Sequence, residues 1–113
     1  MKTIKDVKKD FLFWIYEYEE GINTENSNKS NKAHKKLHSI YKECKNSDFE
    51  DIFYSLLGDK NENVRLWAAV FTLNHKSEAA EKVLEELIKL PSITSLTAEM
   101  TLVVWRRGEL NLL

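Results

Sequence analysis

One cysteine cannot close an internal disulfide, so this chain must be held together by packing alone. Cys44 falls on the apolar side of its segment with Leu37, Ile40 and Tyr41, which reads as a buried reduced thiol suited to a reducing cytoplasm. One proline and three glycines in 113 residues leave little punctuation. Pro91, Gly21, Gly58 and Gly108 all stand where a helical reading places helix ends, which argues for long helices. Long apolar runs are absent too. The run Phe11 to Tyr16 is bracketed by Asp10 and Glu17, too short for a membrane helix and without the small-residue cleavage site of a signal peptide.

What is present is ordinary for a folded domain: 42% apolar and 31% charged residues, enough to bury one core and unlike a disordered tail. The expectation is a single domain over 1–113, with an amphipathic helix at 3–20, a polar linker at 21–31 whose residues from Asn23 on are a loop or a solvated first turn, a helical stack at 32–108 and a short tail at 109–113. Charge is uneven. Residues 1–45 carry ten lysines against seven acids (+3), and residues 46–113 carry seven bases against eleven acids (−4). No concentrated basic face emerges from that balance, so nucleic acid is a weak candidate and a polar protein interface a better one.

The first helix begins at Thr3, an N-cap with Asp6 three residues on, and buries a stripe of Ile4, Val7, Phe11, Trp14, Ile15 and Tyr18. Gly21 ends it in the left-handed conformation. Phe13 and Tyr16 lie off the stripe. They are either surface aromatics touching a second helix or part of a partner or homodimer surface. The second helix buries Ala33, Leu37, Ile40, Tyr41 and Cys44 and turns Lys29, Lys32, Lys35 and Lys36 outward, as a solvated face or as a contact for an acidic partner. His34 and His38 share its surface at a spacing two metal ligands can use, yet no third ligand can be placed with them.

Ser47 and Glu50 form a capping box for a short helix buried through Phe49, Ile52, Phe53, Leu56 and Leu57 and closed by Gly58. Asn61 caps the next, in which Val64, Trp67, Ala68 and Phe71 form one apolar stripe while Leu66, Ala69, Val70 and Leu73 cover the opposite arc. A helix apolar on both sides must be covered on both, which makes it central. Ser77 caps a fifth helix that buries Ala80, Val83, Leu84, Leu87 and Ile88, with Glu78/Lys82 and Glu85/Lys89 as four-apart pairs outside. After Pro91, Thr94 or Ser95 begins a last helix running through Leu96, Met100, Leu102, Val103 and Trp105 to Gly108, and the leucines of the tail fold back over it.

A shift of 31 residues lays Leu56 and Leu57 over Leu87 and Ile88, and Val70 and Phe71 over Thr101 and Leu102, the internal period of a helical-hairpin array. The stretch Asp59 to Ala69, with its leading Asp, its Val64-Arg65 pair and its alanines one turn later, resembles the start of a HEAT unit. That resemblance implies a polar ladder between Asp59 and Arg65. The combination of an N-terminal amphipathic helix, a basic second helix, the Val-Arg-x-x-Ala-Ala core, a Val-Leu-Glu helix and the closing Thr101-Leu102-x-x-Trp105-x-x-Gly108 is similar to the small bacterial domains of the DUF2019 family. The resemblance implies an all-α, compact HEAT-like α-α superhelix of about six helices. It also implies membership among components of toxin-immunity and other contact-dependent systems, where a small helical protein neutralises a toxin by covering it.

No catalytic motif stands in the chain: no glycine-rich phosphate loop, no nucleophile elbow and no CxxC pair. Asp59 and Glu62 are the carboxylates from which an acid/base pair could still assemble in space. The expectation is therefore a non-enzymatic protein-binding domain without cofactor or metal. Arg65, Arg106, Arg107, Phe13, Tyr16, Lys32 and Lys36 are its possible partner surface; alternatives are a nucleic-acid-binding module and a purely structural or homo-oligomeric domain.

Overall fold

A computed structural model describes residues 3–45, 47 and 49–110, and among them every regular element is helical. Six helices follow in chain order: α1 (Ile4–Asn23), α2 (Ser27–Cys44), α3 (Glu50–Ser55), α4 (Glu62–Thr72), α5 (Ser77–Ile88) and α6 (Ile93–Arg106). They form two contact units, one running to Ile52 and the other starting at Phe53.

In the first unit α1 lies along α2. The Thr3 hydroxyl accepts from Asp6 N–H at 3.2 Å while the Asp6 carboxylate accepts from Thr3 N–H at 3.1 Å, so both halves of the capping box form. Val7, Phe11 and Ile15 face Ala33, Leu37, Ile40, Tyr41 and Cys44 as the buried sides of the two helices, and the Cys44 thiol is fully enclosed. Ile4, expected on the buried stripe, is exposed instead, and burial along α1 begins at Val7.

The expected linker at 21–31 shrinks to Thr24, Glu25 and Asn26, because Asn26 accepts from Lys29 N–H at 3.2 Å and starts α2 while the sequence is still polar. A solvated first turn needs no apolar residue. Gly21 does not end α1. It is buried inside the helix, and the left-handed residue of the turn is Glu25, at φ 55°. Gly21 serves a different purpose, since a Cβ there would sit 2.6 Å from Ser30 N and 2.9 Å from Ser30 Cβ. Its missing side chain lets the two backbones close up directly beside a tight turn.

In the second unit α4 packs on α5, α5 on α6, and α4 also meets α6. Asn61 accepts from both Asn63 N–H (2.7 Å) and Val64 N–H (3.2 Å), the expected cap of α4. One side of α4 enters a core of Leu66, Ala69 and Leu73 with Ala80, Leu84 and Leu87 of α5 and Ala98 and Leu102 of α6. Its other side carries Trp67 and Phe71, whose rings lie 5.5 Å apart, with Phe53 at 5.3 Å from Phe71. Both apolar arcs of α4 are thus buried. Its start and that of α6, Glu62 and Ile93, stand 31 residues apart, the period read from the sequence.

Other ends differ from expectation. Ser47 accepts from Phe49 N–H at 3.2 Å but also donates to Cys44 O at 2.6 Å, so its hydroxyl joins two turns before α3 begins at Glu50. Ser77 is the first residue of α5 and not its cap; Lys76 occupies that position without a side-chain bond. Ser92, ahead of the expected Thr94 or Ser95, precedes α6. Gly108 alone among the glycines fulfils the helix-ending role, at φ 72°, with Gly108 N–H donating to Trp105 O and Glu109 N–H to Val104 O in a Schellman closure. Leu110 does pack back on the core; Leu112 and Leu113 of the expected leucine tail lie outside the described residues.

Two stability predictions follow from the first unit. Gly21→Ala should lower the thermal midpoint by several degrees, because overpacking against Ser30 costs about 1–3 kcal/mol and exceeds the up to ~1 kcal/mol that alanine gains in a helix. Gly58→Ala, with open space around the new methyl, should leave it unchanged; thermal melts followed by circular dichroism compare the two. The second concerns His34 and His38 on α2, whose rings lie 4.5 Å apart. Burial lowers the pKa of both, and His34 and Lys42 lower that of His38 further. A folded-state pKa below the ordinary value of about 6.5 means that the unfolded chain takes up protons first as pH falls. Their contribution is therefore complete above about pH 6.5 and is lost below it, a range in which ordinary carboxylates do not titrate. The midpoint should fall between pH 7.5 and 5.5, and a His34→Gln/His38→Gln variant should show a flatter profile.

Candidate functional site

The sequence-selected surface residues divide between the two units. In the first, Phe13 and Tyr16 project from α1 at 53% and 57% exposure, three residues apart and so on one face. Phe13 meets Trp14 edge-on, with ring centroids 4.9 Å apart. Across on α2, Lys32 and Lys36 hold their ammonium groups 5.9 and 5.7 Å from the Trp14 ring centre, near the outer reach of a cation–π contact. Trp14 therefore ties Phe13, Lys32 and Lys36 into one patch. The sequence stripe had assigned this tryptophan wholly to the interior; only the position of α2 reveals that its half-buried ring supports two surface lysines.

Lys29 stands apart from that patch. Its ammonium lies 3.1 Å from Glu20 and 3.5 Å from Glu17, clamping the start of α2 to the end of α1, and the hydrogen bond to Glu20 leads in raising its pKa. One lysine of the basic face is thus neutralised within the fold, while Lys32 and Lys36 keep exposed charge over an aromatic ring. α2 carries five lysines against one glutamate. Neutral histidines leave that surplus intact, and the pKa of His34 and His38 is lowered.

The arginines belong to the second unit. Arg106 reaches from the last turn of α6 to α5, with Nε 3.1 Å from Glu81 and Nη2 2.7 Å from Glu85. Those bonds, Glu81 first and Glu85 next, raise its pKa still further. Glu85 thus answers α6. Arg107 caps α6 and is exposed. Arg65 is half-buried on α4 with its Nε enclosed and meeting no acceptor among the described residues. The Asp59/Arg65 ladder implied by the HEAT resemblance is not among the contacts of the described residues. Asp59 instead accepts from Asn61 N–H at 3.0 Å, bracing the turn into α4. Glu62 accepts from the buried Thr94 hydroxyl at 3.0 Å and so fastens the first turn of α4 to that of α6. Both carboxylates considered for acid/base chemistry thus have structural partners.

Two further surfaces were not legible in the sequence. Lys76 lies 4.1 Å above the ring of exposed Tyr54, at the edge of an open depression of about 510 Å³ lined by Leu57, Ala79, Lys82, Val83 and Glu86. The outer side of α6 carries Ile93, Leu96, Met100 and Val103, all exposed, although the sequence pattern placed the last three simply along the helix. Among the described residues no group of three or more His, Cys, Asp or Glu could hold a metal ion, and no helix is long and apolar enough to cross a membrane.

No family model matches this chain, and no curated protein does. Its structure is similar to the crystal structure of the protein RPA1889 from Rhodopseudomonas palustris CGA009, with a TM-score of 0.88 over 98% of this chain and 94% of that one, at 23% sequence identity. The likeness is one of fold alone and spans nearly the whole of both chains, and this chain has the six-helix, all-α arrangement that the DUF2019 resemblance implied.

Proposed function

We propose that this chain is a non-catalytic protein-binding domain that covers an acidic patch on a protein partner with the α1/α2 face centred on Trp14. The carrying observation is the joining of Phe13, Trp14, Lys32 and Lys36. Tryptophan and tyrosine are enriched among interface hot spots, and a lysine surplus beside them accelerates encounter with a negatively charged surface. Tyr16 extends the anchor along α1. Occlusion is the mode of action, as for an immunity-type protein that blocks its target by lying over it. The second unit we read as a HEAT-like pair of hairpins, supported by the 31-residue spacing of α4 and α6 and by the Glu62/Thr94 link between their first turns. The buried thiol of Cys44 suits a reducing cytoplasm as the place of action.

Nucleic acid is the weaker reading. Phosphate binding draws on many available cations along one track, whereas Lys29 and Arg106 are each tied to two carboxylates. The test is capture from the native cytoplasm with the tagged chain and two variants, Lys32→Glu/Lys36→Glu and Phe13→Ala/Tyr16→Ala, each checked for helicity first. The wild type should enrich one acidic protein, and each variant should weaken its binding at least tenfold. The charge variant should also abolish most of the salt dependence. Equal capture by all three, or a bound species removed by nuclease, would refute the reading.

A further inference from the structure

α6 has two apolar sides and one cover. Ala98 and Leu102 are buried toward α4 and α5, while Ile93, Leu96, Met100 and Val103 remain 66%, 63%, 58% and 40% exposed on the opposite side. Steps of three, four and three residues keep these four on a single narrow stripe, the spacing of a helix-pairing seam. The same physics that calls for cover on both sides of α4 calls for a second cover on α6.

We infer that the cover is a second copy of this chain, its α6 packed antiparallel on this one. The stripe's spacing reads the same in both directions. A two-fold axis crossing the helix midway between Leu96 and Met100 sets Ile93 against the partner's Val103 and Leu96 against the partner's Met100, so the surface is its own complement. Composition points the same way. Between Ile93 and Val104 only Glu99 is charged, whereas α5 alone carries Glu78, Glu81, Lys82, Glu85 and Glu86. A nearly charge-free aliphatic strip gives an acidic or basic partner nothing to pair with and matches the apolar character of homodimer cores.

Size is adequate as well. A standard interface takes about 800 Å² from each partner, and four aliphatic side chains at these exposures supply on the order of half of it. Thr97, Val104 and Glu99 flank the stripe and add to the remainder, and Arg107, one turn beyond Val103, ends it with a charge at the rim. With α5 packed beside α6 in each copy, the pair forms a four-helix layer. This face lies on the second unit and uses none of the residues of the α1/α2 patch.

Sedimentation equilibrium across 1–500 µM tests the inference, with folding of each variant verified by its thermal melt. The wild type should reach twice its 13.3 kDa chain mass. Leu96→Glu and Met100→Lys, each alone, should raise the dimer dissociation constant at least a hundredfold. Mixing the two variants should restore a mixed dimer, because the antiparallel register sets one new acid against one new base. A monomeric wild type at 500 µM, a dimer indifferent to both substitutions, or stripe variants that instead lose a different bound protein would each overturn it.

Discussion

The second unit is organised by one requirement: α4 has apolar side chains around nearly its whole circumference and must be enclosed from two directions. Leu66, Ala69 and Leu73 are enclosed by α5 and α6, and Phe71 is met by Phe53. Each fully buried aliphatic or aromatic side chain contributes about 1.5–3 kcal/mol relative to exposure, so leaving either arc open would remove several such contributions together. Short, individually marginal helices are stabilised by that shared burial, since elements of the length of α3 or α4 do not persist alone in water. The bond from Thr94 to Glu62 then fixes where along α4 the last helix starts. Packing selects the neighbours, and this polar link sets their axial position.

The helices and their inner faces were legible wherever a local rule had no competitor. The Thr3/Asp6 box, the Asn61 cap and the closure at Gly108 satisfy backbone groups within a few residues, so sequence order alone identifies them. The inner face of α2 was readable for a similar reason, its five apolar positions repeating at helical spacing against a polar background. Gly21 was misread because glycine has two uses. It admits left-handed backbone and it admits close approach, and only the position of Ser30 distinguishes them. The polar run before α2 left a loop and a solvated first turn both open, and the helix takes the second from Ser27 on. Helix formation there needs no apolar residue once Asn26 caps it and α1 supplies a packing surface further along.

The interaction surfaces were legible only in their parts. Phe13, Tyr16, Lys32 and Lys36 could be selected one by one as residues outside the apolar stripes, yet what joins three of them is Trp14, which belongs to a stripe. A tryptophan is large enough to be core on one edge and surface on the other, a division that periodicity cannot express. Arg106 shows the reverse. Selected as an exposed cation, it is held by two carboxylates one helix away, since Glu81 and Glu85, four residues apart, present a matched pair of acceptors to the end of α6. Sequence pattern finds charges. Only tertiary placement shows which of them are already answered inside the fold.

The two outward surfaces differ in their chemistry, and the two proposals made for them rest on that difference. On α1 and α2, aromatic rings are interleaved with lysines, so an approaching anionic surface is attracted over a Debye length of about 8–10 Å before any ring is buried. On the proposed reading, binding to such a face weakens as salt screens the charge. The outer side of α6 has no comparable field, because its exposed groups are aliphatic with Glu99 at their edge and Arg107 at their end. Attraction there begins only when water is displaced, which favours a surface of matching shape and penalises any that carries unpaired polar groups. The evenly mirrored spacing of the stripe is what makes a second copy the proposed match. The face proposed for partner capture and the face proposed for self-association use different residues, because the sequence puts its exposed lysines on α2 and its exposed aliphatic stripe on α6.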